Sequence, residues 1–469
     1  MSVIKLGAAA AARGRNPSLI LLATCLGVLI AQLDTSVVNL ALKAIGAGLS
    51  VGVSGLQWVI DAYNLVYASL LLSAGTWADL YGRRRVFASG VALFTVGSLA
   101  CGLAPNEALL IAGRAVTGLG AALMVPTSLA ILALAYPEAK ARAQAIGIWA
   151  SCYGIALAIG PTLGGLLVDT VGWRSIFLLI MPLSALALAL STALPESRDP
   201  LGRRLDLPGQ ALAIVTLATA TLVAIEAPHW SETAILAAAA LALGAAALFL
   251  LVEAPTVGGL VPLACLRRGG LPTAMAVASL MTFGMYAMLF LMPLYLQAER
   301  GASALAAGLE LLPLSLVYIL ISQRSGPWAA RLGPKTMMTA GMGMMGAGLF
   351  ALAALSPGWS LAAVETVLAL LGLGLGLNTG PVNAVAVASV APARAGMASG
   401  LLNTARMVGA TLGVGLLGAV YAARAGEGSP EGVFAGLSAA FLIGGAGETL
   451  GALIAFFCVR RGALSRRQG

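Results

Sequence analysis

Fourteen apolar stretches, each about as long as a bilayer-spanning segment, constrain this chain more than any other feature of its sequence. They recur from Pro17 to Phe457, and a helix needs about 20 apolar residues to cross a hydrocarbon core about 30 Å thick. Only 10% of the 469 residues are charged and the mean hydropathy is +0.95, whereas soluble domains carry roughly 25% charged residues. The chain is therefore predicted to lie within a membrane.

The stretches are predicted to be helices. Lipid offers no hydrogen bonds to the backbone, so a spanning segment must be a helix or part of a closed barrel. The stretches are rich in Ala, Leu and Gly and lack the strict alternation of barrel strands. The predicted fold class is an all-α polytopic membrane protein with spans at 17–40, 54–75, 86–104, 107–134, 142–167, 174–194, 207–226, 232–252, 271–297, 303–324, 336–355, 360–388, 395–421 and 433–458.

The distribution of lysine and arginine predicts the orientation. An even number of spans places both termini on one side of the membrane. If that side is the cytoplasm, the cytoplasmic segments carry 21 lysines and arginines, and the outer loops carry four: Lys43, Arg174, Arg300 and Arg424. Because such residues are enriched in cytoplasmic loops, both termini are predicted to be cytoplasmic.

An internal repeat predicts two halves. The charged segment GTWADLYGRRRV (75–86) has a degraded copy, GPWAARLGPK (326–335), in which a Gly, a Trp, an Ala and a second Gly recur at a constant offset of 251 residues. This offset equates spans one to six with spans nine to fourteen. The predicted domains are a six-helix bundle at 1–194, a linker at 195–206, two extra helices at 207–252, a linker at 253–270 and a second six-helix bundle at 271–469. Parallel six-span repeats are known in one large class of transporters.

Several function classes find no support in the sequence. The formal net charge is +9, but no basic run exceeds three residues and no aromatic residues are interleaved, so nucleic acid is not an expected partner. The single histidine, His229, falls in a predicted outer loop, and no HExxH, GxSxG or CxxC motif occurs. None of the four lysines follows a glycine, which excludes a Walker A lysine. No enzyme, metal site or cofactor is expected, and energy must come from an ion gradient or a partner.

Charged residues inside the predicted spans are the first candidates for function, because each costs several kcal/mol unless it is paired or hydrated. Asp61, Arg114 and Glu310 each lie about seven residues from the outer end of a span, roughly 10 Å deep, and Asp34 lies in the outer half of span one. A shared depth predicts a hydrated cavity in which a carboxylate carries protons. The remaining intramembrane charges, Glu365, Arg406 and Glu448, are also explained by structural ion pairs or by helix-end residues that reach the interface.

Asp34 is the predicted proton acceptor, with Arg114 stabilising its charged form. Asp61 and Glu310 are predicted to face the cavity and to attract a cation. Six further side chains are candidates for apolar or cation–π contacts, although helix packing alone is the simpler explanation for each: Trp58, Tyr63, Trp149, Tyr153, Tyr286 and Met288.

Four motifs together resemble the major facilitator superfamily, and specifically its fourteen-span drug:proton antiporter family. LDTSVVNLAL (33–42) is similar to the span-one motif and GRAVTGLGAALMVP (113–126) to the span-four motif. Residues 75–85 resemble the loop motif G-x-L-a-D-r-x-G-r-r, with Trp77 and Leu80 as departures. Residues 156–165 resemble the antiporter motif g-x-x-x-G-P-x-x-G-G, with an alanine at its first position.

The resemblance implies roles for particular residues. It associates Asp34 and Arg114 with proton coupling, and it assigns conformational gating to the loop motif and the antiporter motif, at Gly75, Asp79, Gly82, Arg83, Gly160, Pro161, Gly164 and Gly165. The second copy of the loop has Ala330 where Asp79 stands, so only the first loop is expected to act as a latch. The segments WVIDAYNLVYASLLL and AGLELLP are most similar to exporters of the methylenomycin-resistance type, and Asp61 to quaternary-ammonium exporters.

The resulting expectation is a proton-driven antiporter that exports small amphipathic compounds, with cations as one substrate class, by alternating access. Its expected partners are protons, a small-molecule substrate and the lipid bilayer, and it is expected to be a monomer in the bacterial inner membrane. Proton-coupled uptake of a metabolite keeps the fold and reverses the direction. A membrane sensor or scaffold that transports nothing is the alternative from another class.

Overall fold

A computed structural model describes residues 16–198, 205–227, 230–253, 270–391, 394–426 and 429–459. The described residues form sixteen helices and no strand. The helices of the first half are α1 (Pro17–Leu49), α2 (Val53–Tyr81), α3 (Arg83–Gly102), α4 (Glu107–Ala135), α5 (Ala139–Thr170), α6 (Ser175–Leu178) and α7 (Ile180–Ser191). Two more, α8 (Leu207–Glu226) and α9 (Glu232–Glu253), follow. The second half contains α10 (Leu271–Ala298), α11 (Ala304–Glu310), α12 (Leu312–Leu332), α13 (Pro334–Ala353), α14 (Leu361–Ala388), α15 (Ala395–Ala425) and α16 (Pro430–Cys458).

The all-helical membrane fold predicted from the sequence is confirmed, but the count of fourteen spans is not. Twelve helical stretches of the described chain are long and apolar enough to cross a membrane, α11 and α12 counting as one. The predicted span 54–75 is a 29-residue helix, α2, that does not qualify, because Gln57, Asp61 and Asn64 lower its hydropathy. The predicted span 174–194 is divided into α6 and α7, which have 4 and 12 residues.

The ends of the bundle are defined by the ends of its first helix. At Pro17, where the Asn16 side chain accepts a hydrogen bond from the backbone N–H of Ser18 (3.0 Å), α1 begins at what we call the terminal face. The hydroxyl of Tyr136, just after α4, donates to the carbonyl of Pro17 at the same face (2.9 Å). The opposite end, where α1 reaches Leu49, is the distal face. Because α1 continues past the predicted span, Lys43 lies within a helix and not in the loop to which it was assigned.

The two copies of the charged segment adopt the same local structure. Gly82 ends α2 and precedes α3 with φ of 107°, and Gly333 ends α12 and precedes α13 with φ of 83°. Glycine adopts such positive φ values without steric cost. Shifted by 251 residues, the bounds of α2 become 304–332, which α11 and α12 occupy together, and those of α3 become 334–353, the bounds of α13.

The predicted domain boundaries remain a prediction. Most of the two predicted linkers, at 199–204 and 254–269, lies outside the described residues, as does His229. The helices nevertheless group around buried cores. One large apolar cluster joins residues of both halves, and a second lies within the first half around Tyr63, Phe94 and Trp149.

Helix α8 is attached along the side of α2. Near the terminal face, the Gln210 side chain donates to the carbonyl of Ser69 (2.6 Å) and is also hydrogen-bonded to the hydroxyl of Ser73. Near the distal face, the Trp58 indole donates to the carboxylate of Glu226 (2.7 Å). Helix α8 also packs on α15, whereas α9 packs on α8 and remains largely exposed. The extra pair therefore joins the bundle beside α2 and α15.

Candidate functional site

A buried ion pair joins α1 to α4. Arg114 Nη1 lies 2.5 Å from Asp34 Oδ2, and the two residues are 1% and 0% exposed. The other carboxylate oxygen of Asp34, Oδ1, has no hydrogen-bond partner in the described part of the chain. The sequence predicted that these two residues act together, and the structure brings them into direct contact.

Arg114 is also anchored to α2. Its Nε donates to the carbonyl of Val59 (2.9 Å), and its guanidinium lies 4.7 Å from the centre of the Tyr63 ring. Close approach of the two helices is possible because Gly118 faces the backbone of Tyr63, and a Cβ at this glycine would lie 2.5 Å from the Tyr63 carbonyl oxygen. One side chain thus holds α1, α2 and α4 together, so a change in the charge of Asp34 acts on all three helices.

The opposite side of α1 lines a cavity between the two halves. The cavity has a volume of about 70 Å³ and is bounded by α1, α5, α10 and the junction of α11 with α12. Its lining combines polar side chains from α1 with apolar and tyrosine side chains from the other helices: Gln32, Thr35, Ser36, Asn39, Leu40, Tyr153, Leu157, Pro161, Tyr286, Leu289, Leu311, Leu314 and Ser315. Pockets for drug-sized ligands measure roughly 300–1,000 Å³, so a ligand of that size requires the halves to move apart.

Two of the predicted substrate residues, Tyr153 and Tyr286, line this cavity. The four charged residues that were expected to share a cavity do not lie together. Asp61 is fully buried and faces α15, where a Cβ at Gly415 would lie 3.5 Å from its carboxylate. Glu310 lies at the end of α11. A common depth along the helices did not bring these side chains together, because depth does not determine the direction in which each helix presents its residues.

The other predicted substrate residues make packing contacts away from the cavity. Tyr63 packs beneath Arg114, and Met288 is fully buried in the large apolar cluster that joins the two halves. The Trp149 indole donates to the hydroxyl of Ser128 (2.8 Å), and its ring contacts Tyr153 edge-on with centroids 5.5 Å apart. Trp58 is bonded to α8, as described above. Their predicted part in substrate binding remains a prediction.

The loop motif forms contacts at the terminal face of the first half. Asp79 Oδ1 accepts from Arg83 Nη2 (2.8 Å) and Nε (3.2 Å) across the turn made by Gly82. The backbone N–H of Arg83 donates to the carbonyl of Ser197 (3.1 Å), in the segment that follows α7. The turn is therefore bonded to the start of the predicted linker. Gly75 lies in the last third of α2, in open surroundings.

The antiporter motif lies at a seam between helices of both halves. Pro161 is inside α5, and Gly160 and Gly164 approach α1 at Ser36 and Val37, where a Cβ at Gly164 would lie 3.0 Å from the Val37 Cα. Gly165, on the other side, faces the backbone at the start of α11. The motif lets α5 contact α1 and α11 almost backbone to backbone.

A set of polar contacts that the sequence did not indicate joins the halves near the distal face. The Asp169 carboxylate, at the end of α5, accepts from the backbone N–H groups of Ala304 (3.1 Å) and Leu305 (2.8 Å). The Gln57 side chain donates to the carbonyl of Gly415 (2.7 Å), and Lys43 donates to the carbonyl of Gln297 (2.5 Å). Asp169 follows the antiporter motif by four residues, which was the available signal, but a single loop acid does not indicate a contact between halves.

Two helical halves with a polar cavity between them and a buried ion pair at its side are the architecture of a membrane transport protein. The chain belongs to the Major Facilitator Superfamily, whose family model matches residues 24–414. The resemblance inferred from the motifs is confirmed, and a transport protein of this family is not an enzyme.

Two proteins with resistance names and one solved transporter structure are similar to this chain. The chain is 41% identical over 412 residues to the multidrug resistance protein Stp of Mycobacterium tuberculosis (strain CDC 1551), covering 87% of this chain and 76% of the relative. It is 34% identical over 396 residues to the methylenomycin A resistance protein of Streptomyces coelicolor, covering 84% and 83%. A solved bacterial homologue of the lysosomal transporter Spinster shares the fold, with a TM-score of 0.68 and 18% identity over 94% of this chain and 96% of that one.

Proposed function

We propose that this protein is a proton-coupled antiporter that exports small amphipathic compounds by alternating access between its halves. The relatives named for multidrug and methylenomycin A resistance support export of drugs or toxic metabolites. The observation that carries proton coupling is the double role of α1, which bears half of a buried ion pair on one side and the polar lining of the cavity on the other.

Proton binding and substrate binding would be coupled because one rigid helix, α1, carries both Asp34 and the polar lining of the cavity. Binding of a proton at Asp34, whose Oδ1 is unpartnered among the described residues, neutralises the carboxylate and leaves Arg114 as a buried cation. The protonated carboxyl group can still accept a hydrogen bond from Arg114, so the pair loses the charge-assisted part of its interaction, about 1–3 kcal/mol. A shift of α1 against α4 would offset this loss of stabilisation. The same shift would move the cavity lining on α1 and the contact of α1 with α5 at Gly164.

The conformation described here would be open towards the terminal face. The hydrogen bonds that join described residues of the two halves lie near the distal face or at mid-height, where the Ser315 hydroxyl donates to the carbonyl of Leu157 (3.0 Å). With the termini in the cytoplasm of a bacterium, as the charge distribution predicts, this is the state that receives substrate from inside. Asp79 and Arg83 would stabilise one of the two states at the cytoplasmic side.

The proposal includes the proton gradient of the inner membrane as the energy source, with no cofactor, and a monomer as the working unit. The predicted preference for cations rested on Asp61 and Glu310 facing the cavity. Neither residue is among those that line it, so the proposal does not include a cationic substrate.

Export and proton coupling can be tested in proteoliposomes. An imposed pH gradient should drive uptake of a fluorescent amphipathic compound by wild type in the exporting orientation, with a matching proton flux. Asp34→Asn should abolish the dependence on the pH gradient, because the amide cannot carry a proton. Glu232→Gln, at an exposed acid at the start of α9, is the matched control and should behave as wild type. Gradient-driven transport by Asp34→Asn at the wild-type rate would exclude Asp34 as the proton carrier.

A further inference from the structure

Arg406, in α15, is an intramembrane cation that the proposed cycle does not use. Its Nη1 donates to the side-chain oxygen of Asn403, one turn earlier (3.2 Å). Its Nε and Nη2 are buried and have no hydrogen-bond partner among the residues that the structure describes. A guanidinium carries five N–H donors, so most of the hydrogen-bonding capacity of this side chain is unused.

No carboxylate of the described residues forms an ion pair with Arg406. In the described ranges the ion pairs are Arg83 with Asp79, Arg85 with Glu196 and Arg114 with Asp34. Arg114 differs in this respect: both arginines lie within helices of the bundle, but among the described acids one lies beside Arg114 and none pairs with Arg406. Charged residues in membrane-spanning segments are costly, and they mark substrate or ion pathways unless they are paired.

The surroundings of Arg406 connect it to the cavity between the halves. Its guanidinium interacts electrostatically with the phenol groups of Tyr153, Tyr286 and Tyr318. These tyrosines come from α5, α10 and α12, and the first two line the cavity. The arginine is therefore within electrostatic range of two tyrosines that line the cavity, and their hydroxyl groups can donate further hydrogen bonds.

The position of Arg406 is determined by tight packing of α15 on α10. The Thr282 hydroxyl donates to the carbonyl of Arg406 itself (2.6 Å). Three residues later, Gly409 lies against the same stretch of α10, where a Cβ would be 2.5 Å from the Thr282 hydroxyl oxygen. Because α10 also carries Tyr286, the arginine and one wall of the cavity belong to one rigid unit.

We propose that Arg406 binds an anionic group of the transported compound, a carboxylate or an ionised phenol or enol, with Tyr153 and Tyr286 as additional hydrogen-bond donors. The inference rests on the proposed function, and it assigns the substrate class as amphipathic acids. Once the halves move apart, the chemistry of the cavity lining suits such a compound: it offers apolar surface at Leu289 and Leu314 and contains no carboxylate that would repel an anion.

The test uses purified protein in detergent and two matched probe pairs: 1-naphthaleneacetate with 1-naphthaleneacetamide, and 4-phenylbutyrate with its amide. Each amide has nearly the shape of its acid but no charge. Isothermal titration should show that wild type binds at least one carboxylate about 10-fold or more tightly than its amide, the effect expected of a charge-assisted, bidentate hydrogen bond. Binding of no carboxylate more tightly than its amide, including no binding at all, overturns the inference.

Variants locate the effect. Arg406→Gln should weaken carboxylate binding about 10- to 100-fold and leave amide binding unchanged, while Arg406→Lys, which keeps the charge, should retain a preference for the acid. Arg424→Gln, an exposed arginine on the same helix, is the control and should match wild type. Carboxylate binding by Arg406→Gln at wild-type affinity would overturn the assignment.

Failure of the proposed function gives a different result. If the carboxylate binds through Arg406 but an imposed pH gradient does not drive its transport in proteoliposomes, proton coupling is wrong and the binding site stands. If a gradient drives transport of the amides or of a lipophilic cation with no preference for the acids, the antiporter stands and the anion site is wrong.

Discussion

Neutralising Asp34 should shift the protein from the state described here towards one that is open at the distal face. The Asp34 carboxylate is 0% exposed and pairs with Arg114 at 2.5 Å. Asparagine has nearly the shape of a protonated aspartate and can still accept a hydrogen bond from Arg114. The loss is therefore the charge-assisted part of the interaction, about 1–3 kcal/mol, and not the about 3–5 kcal/mol of a broken buried pair. Since 1.4 kcal/mol corresponds to a tenfold change in population, the shift should be about 5- to 150-fold.

Distances between the two halves at the distal face measure this shift. Spin labels at Val171, which is 73% exposed, and at Gly358, which is also exposed, report on opposite halves once the five native cysteines are replaced. Electron–electron double resonance on Asp34→Asn at neutral pH should show a longer distance population, which wild type should show only on acidification. Glu232→Gln should give the wild-type distribution. Equal distributions for Asp34→Asn and wild type under all conditions would refute the idea that charge at Asp34 selects between states.

Three further substitutions test the contacts between helices. Gly165→Leu places a side chain on the backbone of Ala304, so it should prevent closure at the distal face and abolish gradient-driven transport. Size-exclusion chromatography should show that the protein remains folded. Transport at the wild-type rate would contradict a role for close α5–α11 packing in closure. Asp79→Asn weakens the 2.8 Å ion pair with Arg83 and should slow transport several-fold. A rate equal to that of wild type would exclude the proposed gating role of this pair. Gln210→Leu breaks the bond to Ser69 and should lower the stability of the α8–α2 contact by about 1 kcal/mol, visible as a lower unfolding temperature in detergent.

Short-range features of this protein could be predicted because they depend on local physical chemistry. A run of apolar residues that must satisfy its own backbone in lipid can only be helical here, so most helices lie where hydropathy predicted them. The turn at Gly82 and its copy at Gly333 follow from the need for glycine at positive φ. A joint role for Asp34 and Arg114 was predicted from their depth in the spans and from the family resemblance, and two charges in an apolar bundle are stable mainly when they meet.

Long-range features depended on the rotation of each helix about its axis, and the sequence carries little information about it. Hydropathy distinguishes lipid from water, but nearly every face of these helices is apolar, so it does not show which face meets a neighbour. For this reason Asp61 and Glu310 were expected in a cavity that they do not line, and Arg406 was regarded as an ordinary structural residue.

The sequence by itself therefore determined the class of protein, the positions of most helices, the internal repeat and the family. Only the tertiary structure decided that α1 separates an ion pair from a cavity and that α8 is hydrogen-bonded along α2. It also decided that Arg406 lies near Tyr153 and Tyr286 and has no ion-pair partner among the described residues. The physical reason is that a charge in a helix specifies only that it needs a partner. Which partner it obtains, or whether it obtains one, depends on the packing of helices that are distant in the chain.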